Sequence, residues 1–356
     1  MRNAVENAKW LALCAEPALE PELRICDPHH HLWDRKDAHF ARVAPRYLLD
    51  EILEDLCGSG HNVVSTIFCE CATMYRADGP PSLRAVGETE FVNGIAVMSA
   101  SGAYGPIRVA AGIIGTADLK LGDDVALVLD MQIAAGGGRF RGVRQGASWD
   151  PCDDVPNFRD NPPPGLYRRA DFRAGFAHLA PRGLVFDAWC YFHQIPDVTD
   201  LARTFPDTTI VLNHFGGPLG IGPHAGRAAE VFAQWRSHID ELASCPNVLC
   251  KLGGINMVMN GFGWHDRPRP PSSEELVDAT RRYYEHALRR FSVARCMFES
   301  NFPVDKASCS YTVLWNAFKR LTSGYSSQDR AQLFHDNAAR VYRLAQLNKT
   351  EGDICR

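Results

Sequence analysis

The chain has 356 residues, a formal net charge of -4 and 46% hydrophobic residues. That length suits one α/β barrel, and the mild acidity offers no basic surface for a phosphate backbone, so no nucleic acid partner is expected. No apolar run reaches the roughly 18–20 residues of a membrane span, and the start, MRNAVENAKWLALCAEP, carries an early Glu6 and no cleavage site, so no membrane partner and no secretory signal are expected.

Along the chain, β-rich runs recur at 23–31 (LRICDPHHH), 63–74 (VVSTIFCECATM), 107–115 (IRVAAGIIG) and 140–146 (FRGVRQG). Four more follow at 184–192 (LVFDAWCYF), 208–216 (TTIVLNHFG), 247–254 (NVLCKLGG) and 294–303 (ARCMFESNFP). Most are continuous apolar runs, as expected of parallel strands covered on their outer face. Helical spacing marks 124–135, which stops at Gly136-Gly137-Gly138, and then 230–243, 274–291 and 327–344. Eight strands alternating with helices predict a single-domain (β/α)8, or TIM, barrel over 23–345, with an N-terminal extension at 1–22 and a tail at 346–356. A doubly wound sheet would carry a Gly-rich phosphate turn early, where this chain has histidines instead. Two Pro-rich stretches, 148–170 and 256–273, follow strands four and seven and read as walls of the functional face. The twelve cysteines include no CxxC pair. Cys69, Cys190, Cys250 and Cys296 lie inside strands, so a reduced, cytoplasmic protein is expected.

In a barrel the C-terminal ends of the strands converge on one mouth. The ends here supply His29 and His31, Glu70, Arg144 with Gln145, His193, His214, Lys251, and Glu299 with Ser300 and Asn301. The i, i+2 spacing on an extended strand aims His29 and His31 the same way and His30 outward. His29, His31 and His193 are the candidate ligands of one divalent cation, zinc first, with a fourth position left for water. His214 is then the candidate base, or a turn histidine bonding its own loop. Arg144 suits a substrate carboxylate, or braces the barrel by pairing with Glu70. Lys251 reads as a salt-bridged strand residue. Trp149, Tyr167, Phe262, Trp264 and Arg267 read as pocket wall. His39, His61, His178, His224, His238, His286 and His335 read as surface.

The ordered set Asp27-x-His29-x-His31, GVR at 142–144, the Phe-Asp motif before His193, LNHFGGP at 212–218, KLGG at 251–254 and MFESNFP at 297–303 resembles the lactonase-like branch of the amidohydrolase superfamily. The ending LFHDNAARVYRL at 333–344 is similar to that family's closing helix. The resemblance implies a distorted TIM barrel that hydrolyses a ring ester. It assigns His29 and His31 to strand one, His193 to strand five, His214 to strand six and Arg144 to carboxylate binding. It departs at Asn301, where the family's S-D-W-P has an acid, and an amide takes no proton from water. The base then falls to His214, His193, Glu70 or Asp305. The strand-four run FRGVRQG has no lysine, so a binuclear centre is not expected, and some members of the branch work without metal. The expected function is hydrolysis of a small carboxylated lactone, by the metal or a metal-free route. The alternative is a decarboxylase or lactone isomerase. The expected partner is a small-molecule substrate, with homo-oligomerisation open.

Overall fold

The structure is a computed structural model, and it describes residues 2–35 and 42–344. His39 and the tail at 346–356 lie outside the described residues. Eight strands form one parallel sheet in chain order: β1 (Arg24–His30), β2 (Asn62–Cys69), β3 (Arg108–Gly115), β4 (Phe140–Arg144), β5 (Val185–Ala188), β6 (Ile210–Leu212), β7 (Val248–Leu252) and β8 (Cys296–Phe298). The sheet closes on itself through backbone bonds just past β1 and β8: Asn301 N–H donates to His29 O at 2.9 Å, and His31 N–H donates to Phe302 O at 2.8 Å. The chain is therefore a single-domain (β/α)8 barrel.

Several strands stop short of their apolar runs. The run at 208–216 leaves the ladder after Leu212, because His214 and Phe215 adopt φ of 52° and 58°. Asn301, at φ 57°, turns the chain after β8 in the same way. Left-handed backbone at non-glycine residues is uncommon, and here it bends each strand end so that a side chain enters the mouth.

Inside the barrel, Cys26, Ile67, Cys69, Ile114, Val185, Val211, Leu249 and Met297 form an apolar cluster, joined from the chain's end by Ala338, Val341 and Tyr342. The larger core lies between the sheet and the helices, where Trp235, Trp315, Phe172 and Phe176 are fully buried. The helices read at 124–135, 230–243 and 274–291 span Val125–Ala135, Ala228–Leu242 and Ser273–Phe291. The last of these starts with a reciprocal cap between Ser272 and Glu275. The helix expected at 327–344 is interrupted by a wide turn at Gln332–Asp336. Beyond it, the Asn337 amide donates to the Val293 and Cys296 carbonyls at 2.7 and 2.8 Å.

The N-terminal extension is a helix, α1 (Ala4–Leu11), docked on the loop after β7. Trp10 Nε1 donates to Arg267 O at 2.9 Å, and the Arg2 guanidinium lies 4.0 Å over the Trp10 ring.

Strand β4 approaches β5 closely at Gly142, which is paired with Val185. A Cβ at 142 would lie 2.2 Å from Val185 O. Gly142→Ala should therefore cost about 3 kcal/mol or more of stability, read as a lowered thermal unfolding midpoint; a midpoint unchanged within a degree would show that the two strands can separate freely.

Candidate active site

Strand β1 carries its histidines on a buried anchor. The Asp27 carboxylate accepts from the backbone N–H of His29 at 3.3 Å and of Ser300 at 3.0 Å, and from the Tyr311 hydroxyl at 3.0 Å. Burial pushes Asp27 up to about 6, against these donors. The anchor ties β1 to the segment after β8, so both edges of the closing seam are fixed where the site begins.

His29 and His31 are both buried, with ring centroids 5.0 Å apart, and His214 from the end of β6 comes within 4.5 Å of His29. Burial, joined by the positive charges of Lys251 and Arg144, holds His29 well below its ordinary value; burial and then Arg144 do the same for His31. Both rings are neutral, so each has one N–H and one open lone pair. His31 Nδ1–H donates to Cys69 O at 2.7 Å, which fixes its tautomer and leaves Nε2 as an acceptor. His30, as expected, faces away: its Nε2 meets Thr66 Oγ1 at 2.8 Å, and burial lowers it to about 3.

Glu299, fully buried, joins the histidines. One oxygen, Oε1, accepts from His214 Nδ1 at 2.7 Å and from the His214 backbone N–H at 3.1 Å. The other, Oε2, is 2.8 Å from His29 Nδ1. Two glycines make room for this arrangement. A Cβ on Gly253 would lie 2.5 Å from Glu299 Cγ, and one on Gly254 would lie 2.1 Å from His214 Nδ1. Trp189 packs edge-on against His214 at 4.8 Å.

Charged pairs flank the imidazoles. Lys251 Nζ donates to Asp187 Oδ2 at 2.6 Å and is 3.4 Å from His29 Nδ1. Burial alone would lower Lys251, but Asp187, Cys69 and Glu299 together leave it raised. Asp187 is held in turn by the Asn213 amide and the Tyr342 hydroxyl, each at 2.9 Å. Arg144 donates through Nε to Glu70 Oε1 at 2.7 Å and through a second nitrogen to the Glu70 carbonyl; its Nη1 faces His29 Nε2 at 3.3 Å. Glu70 Oε2 is taken by Arg159, from the long loop after β4.

The residues singled out in the sequence thus divide. His29, His31 and His214 come together, with Arg144 and Glu70 beside them as a pair, so Arg144's fork is already occupied. His193 is not in this group, because β5 ends at Ala188 and the chain turns before residue 193. Its Nε2–H donates to Trp149 O at 3.0 Å, and it lies with Asp150 and His224. Asn301 donates its amide to Asp305 Oδ1 at 3.0 Å. Tyr167 is buried and its hydroxyl donates to Gln145 O at 2.8 Å, as a prop under the loop. Trp264 is buried in a stack with Phe262, with the Arg267 guanidinium above it, and of the four wall aromatics Trp149 and Phe262 are partly exposed. His61 and His286, read as surface, are buried, and His61 pairs with Lys319. Sequence reasoning placed Glu299 at a strand end without a role and missed Arg159, Asp187 and Trp189. The Phe-Asp motif before His193 was the available signal for Asp187.

The amidohydrolase family matches residues 26–344 of this chain. This protein belongs to the amidohydrolase family. A protein designated y4mH of Sinorhizobium fredii is 34% identical over 340 residues, 91% of this chain and 99% of that one. An L-fucono-1,5-lactonase of Burkholderia multivorans is 29% identical over 243 residues, 67% of this chain and 73% of that one. A solved amidohydrolase structure from Burkholderia multivorans with bound zinc is 25% identical, with a TM-score of 0.67 over 90% of this chain and 99% of that chain.

The donors in this amidohydrolase fit such a cation. His29, His214 and Glu299 offer ligand atoms within 4.8 Å of one another. Glu299 Oε2 is buried without a well-aligned hydrogen bond, despite its proximity to His29. Two imidazoles and a carboxylate suit a borderline divalent ion. A second grouping, His29 with Cys69 and Asp187, fits less well. Burial pushes the Cys69 thiol up to about 12, and Asp187 is already paired with Lys251.

Asp305 supplies a pH signature. Burial, with Glu299's charge adding to it, outweighs the Asn301 amide and pushes Asp305 up to about 8. An unfolded carboxyl titrates near 4, so from about pH 4 to 8 the folded state keeps a proton that the unfolded state has lost. Stability from this group is full below about pH 4 and is lost as pH rises through about 8. The melting temperature of Asp305→Asn relative to wild type should climb between pH 5 and pH 8, reaching a gain on the order of a few kcal/mol; a difference independent of pH would show that Asp305 is ionised when folded.

Proposed function

We propose that this amidohydrolase hydrolyses a small carboxylated lactone or a related cyclic ester. The observation that carries this reading is the buried Glu299 carboxylate shared by His29 and His214 at the mouth of the barrel. Because Glu299 accepts the Nδ1–H of His214, Nε2 of that ring is left to take a proton from an attacking water and to return it to the leaving alkoxide. His31, with its Nδ1–H committed to Cys69 O, presents a second open Nε2. The Lys251 and Arg144 cations supply positive charge for the carbonyl oxygen as it becomes anionic. Each is held by a carboxylate, so neither has to be reorganised during the reaction.

A cation on His29, His214 and Glu299 would add Lewis-acid charge and a more acidic water, leaving His31 as the imidazole with an open nitrogen. Arg159 is the group a substrate carboxylate would meet. Its side chain is a quarter exposed, and its present partner is the same kind of anion. The lactonase relative supports the ester chemistry, since L-fucono-1,5-lactone is itself a ring ester.

The Asn301 amide, committed to Asp305, favours the decarboxylase or isomerase reading to the extent that no carboxylate stands at that position. A panel of carboxylated lactones followed by acid release tests both readings. His214→Gln and Glu299→Gln should each lower kcat at least 100-fold with KM within threefold. A variant within threefold of wild type would remove the dyad from the chemistry, and conversion without acid release would replace hydrolysis by isomerisation. Arg159→Met should raise KM about tenfold and leave kcat nearly unchanged, checked on the same substrates.

A further inference from the structure

Around the rim, three connections converge on one carboxylate. Asp150 comes from the loop after β4, His193 from the turn leading into the helix Ile195–Thr204, and His224 from the loop after β6. His224 Nε2 is 3.0 Å from Asp150 Oδ2, and His193 Nε2 is 3.9 Å from the same oxygen. Their ligand atoms all lie within 4.8 Å of one another. The two rings are nearly parallel, 14° apart with centroids separated by 6.2 Å. The Phe192 ring stands edge-on to both, at 5.3 Å.

The carboxylate is prepared from behind. Asp150 Oδ1 accepts the Cys152 N–H at 2.9 Å, which leaves Oδ2 turned toward the imidazoles, and the Asp150 side chain is only 4% exposed. The two histidines are partly exposed, at 24% and 17%, so solvent reaches the trio. A buried carboxylate with one oxygen fixed and the other shared by two half-buried imidazoles is the donor set of an open three-ligand metal site.

We propose that Asp150, His193 and His224 form a second cation site, on the rim of the mouth, for a zinc-like divalent ion. Two nitrogens and one oxygen select a borderline ion over magnesium or calcium, which require mainly oxygen. Ligation through Nε2 requires each ring to carry its proton on Nδ1, so the hydrogen bonds now made by His224 Nε2 to Asp150 and by His193 Nε2 to Trp149 O are given up and the protons move to Nδ1 by exchange with solvent. Bound there, the ion cross-links the connections after β4, β5 and β6, and so fixes the loop that carries Trp149 and Arg159.

The test uses full-length protein stripped of metal and loaded with Zn2+ or Co2+ alone. Bound metal per chain is counted after dialysis, and the thermal midpoint is read with and without the ion. Wild type should hold one equivalent more than His224→Gln, and its zinc-induced rise in thermal midpoint should be larger than the variant's. The difference in equivalents reports the rim alone, whether or not the mouth holds a cation and whether or not the chain is a lactonase. If His224→Gln folds poorly, Asp150→Asn, nearly the same shape with a much weaker ligand, should show the same loss. Equal equivalents and equal thermal shifts in wild type and a folded variant would overturn the site and leave the trio as a hydrogen-bonded loop anchor.

Discussion

A carboxylate removed from water is stable only among partners that replace its solvation, and Glu299 has drawn two imidazoles to itself in that way. Around this group the buried charges alternate in sign: Glu70 against Arg144, Asp187 against Lys251, and Glu299 against the ring proton of His214 and beside His29. His29 is the point where these pairs meet, with Arg144 on one ring nitrogen and Lys251 near the other. Without Glu299 it would face two cations whose own carboxylates, Glu70 and Asp187, are already committed to them. Breaking one partner out of a buried set of this kind costs far more than the set contributes as a whole. The arrangement therefore specifies a geometry more than it stabilises the fold.

The same logic explains the amide at position 301. A carboxylate there would lie close to Glu299 and Asp305, adding a third acid to a pocket in which Asp305 already holds its proton up to about pH 8. As asparagine, residue 301 donates to Asp305 and contributes its backbone N–H to the closing seam. The anionic character of the strand-eight end lies at residue 299, where the left-handed turns at His214 and Asn301 give it access to the imidazoles.

The barrel could be read from the sequence because its strands are continuous apolar runs, and burial on both faces leaves that mark. His29 and His31 could be read because their spacing alone fixes their shared direction on a strand. The site failed to show wherever it depended on how a strand ends. Nothing in LVFDAWCYFHQ announces that pairing stops at Ala188, so His193 looked like a mouth residue although it stands on the following turn. Glu299 was visible as an acid near Asn301, but its two partners lie on other strands and only the folded seam unites them. Tyr167 and Trp264 have pocket-like composition, yet buried aromatics in long loops serve equally well as props, and here they do.

The closing seam joins the first and last strands of the barrel: the Asp27 carboxylate and the Ser300 N–H that it accepts are 273 residues apart. Growing chains on the ribosome would thus carry the paired imidazoles of β1 through synthesis of the rest of the barrel without the carboxylate that orients them. Only after β8 emerges can the pocket be assembled. A product lacking that last strand would have neither the closing seam nor Glu299, so the site is completed only by the last strand of the barrel.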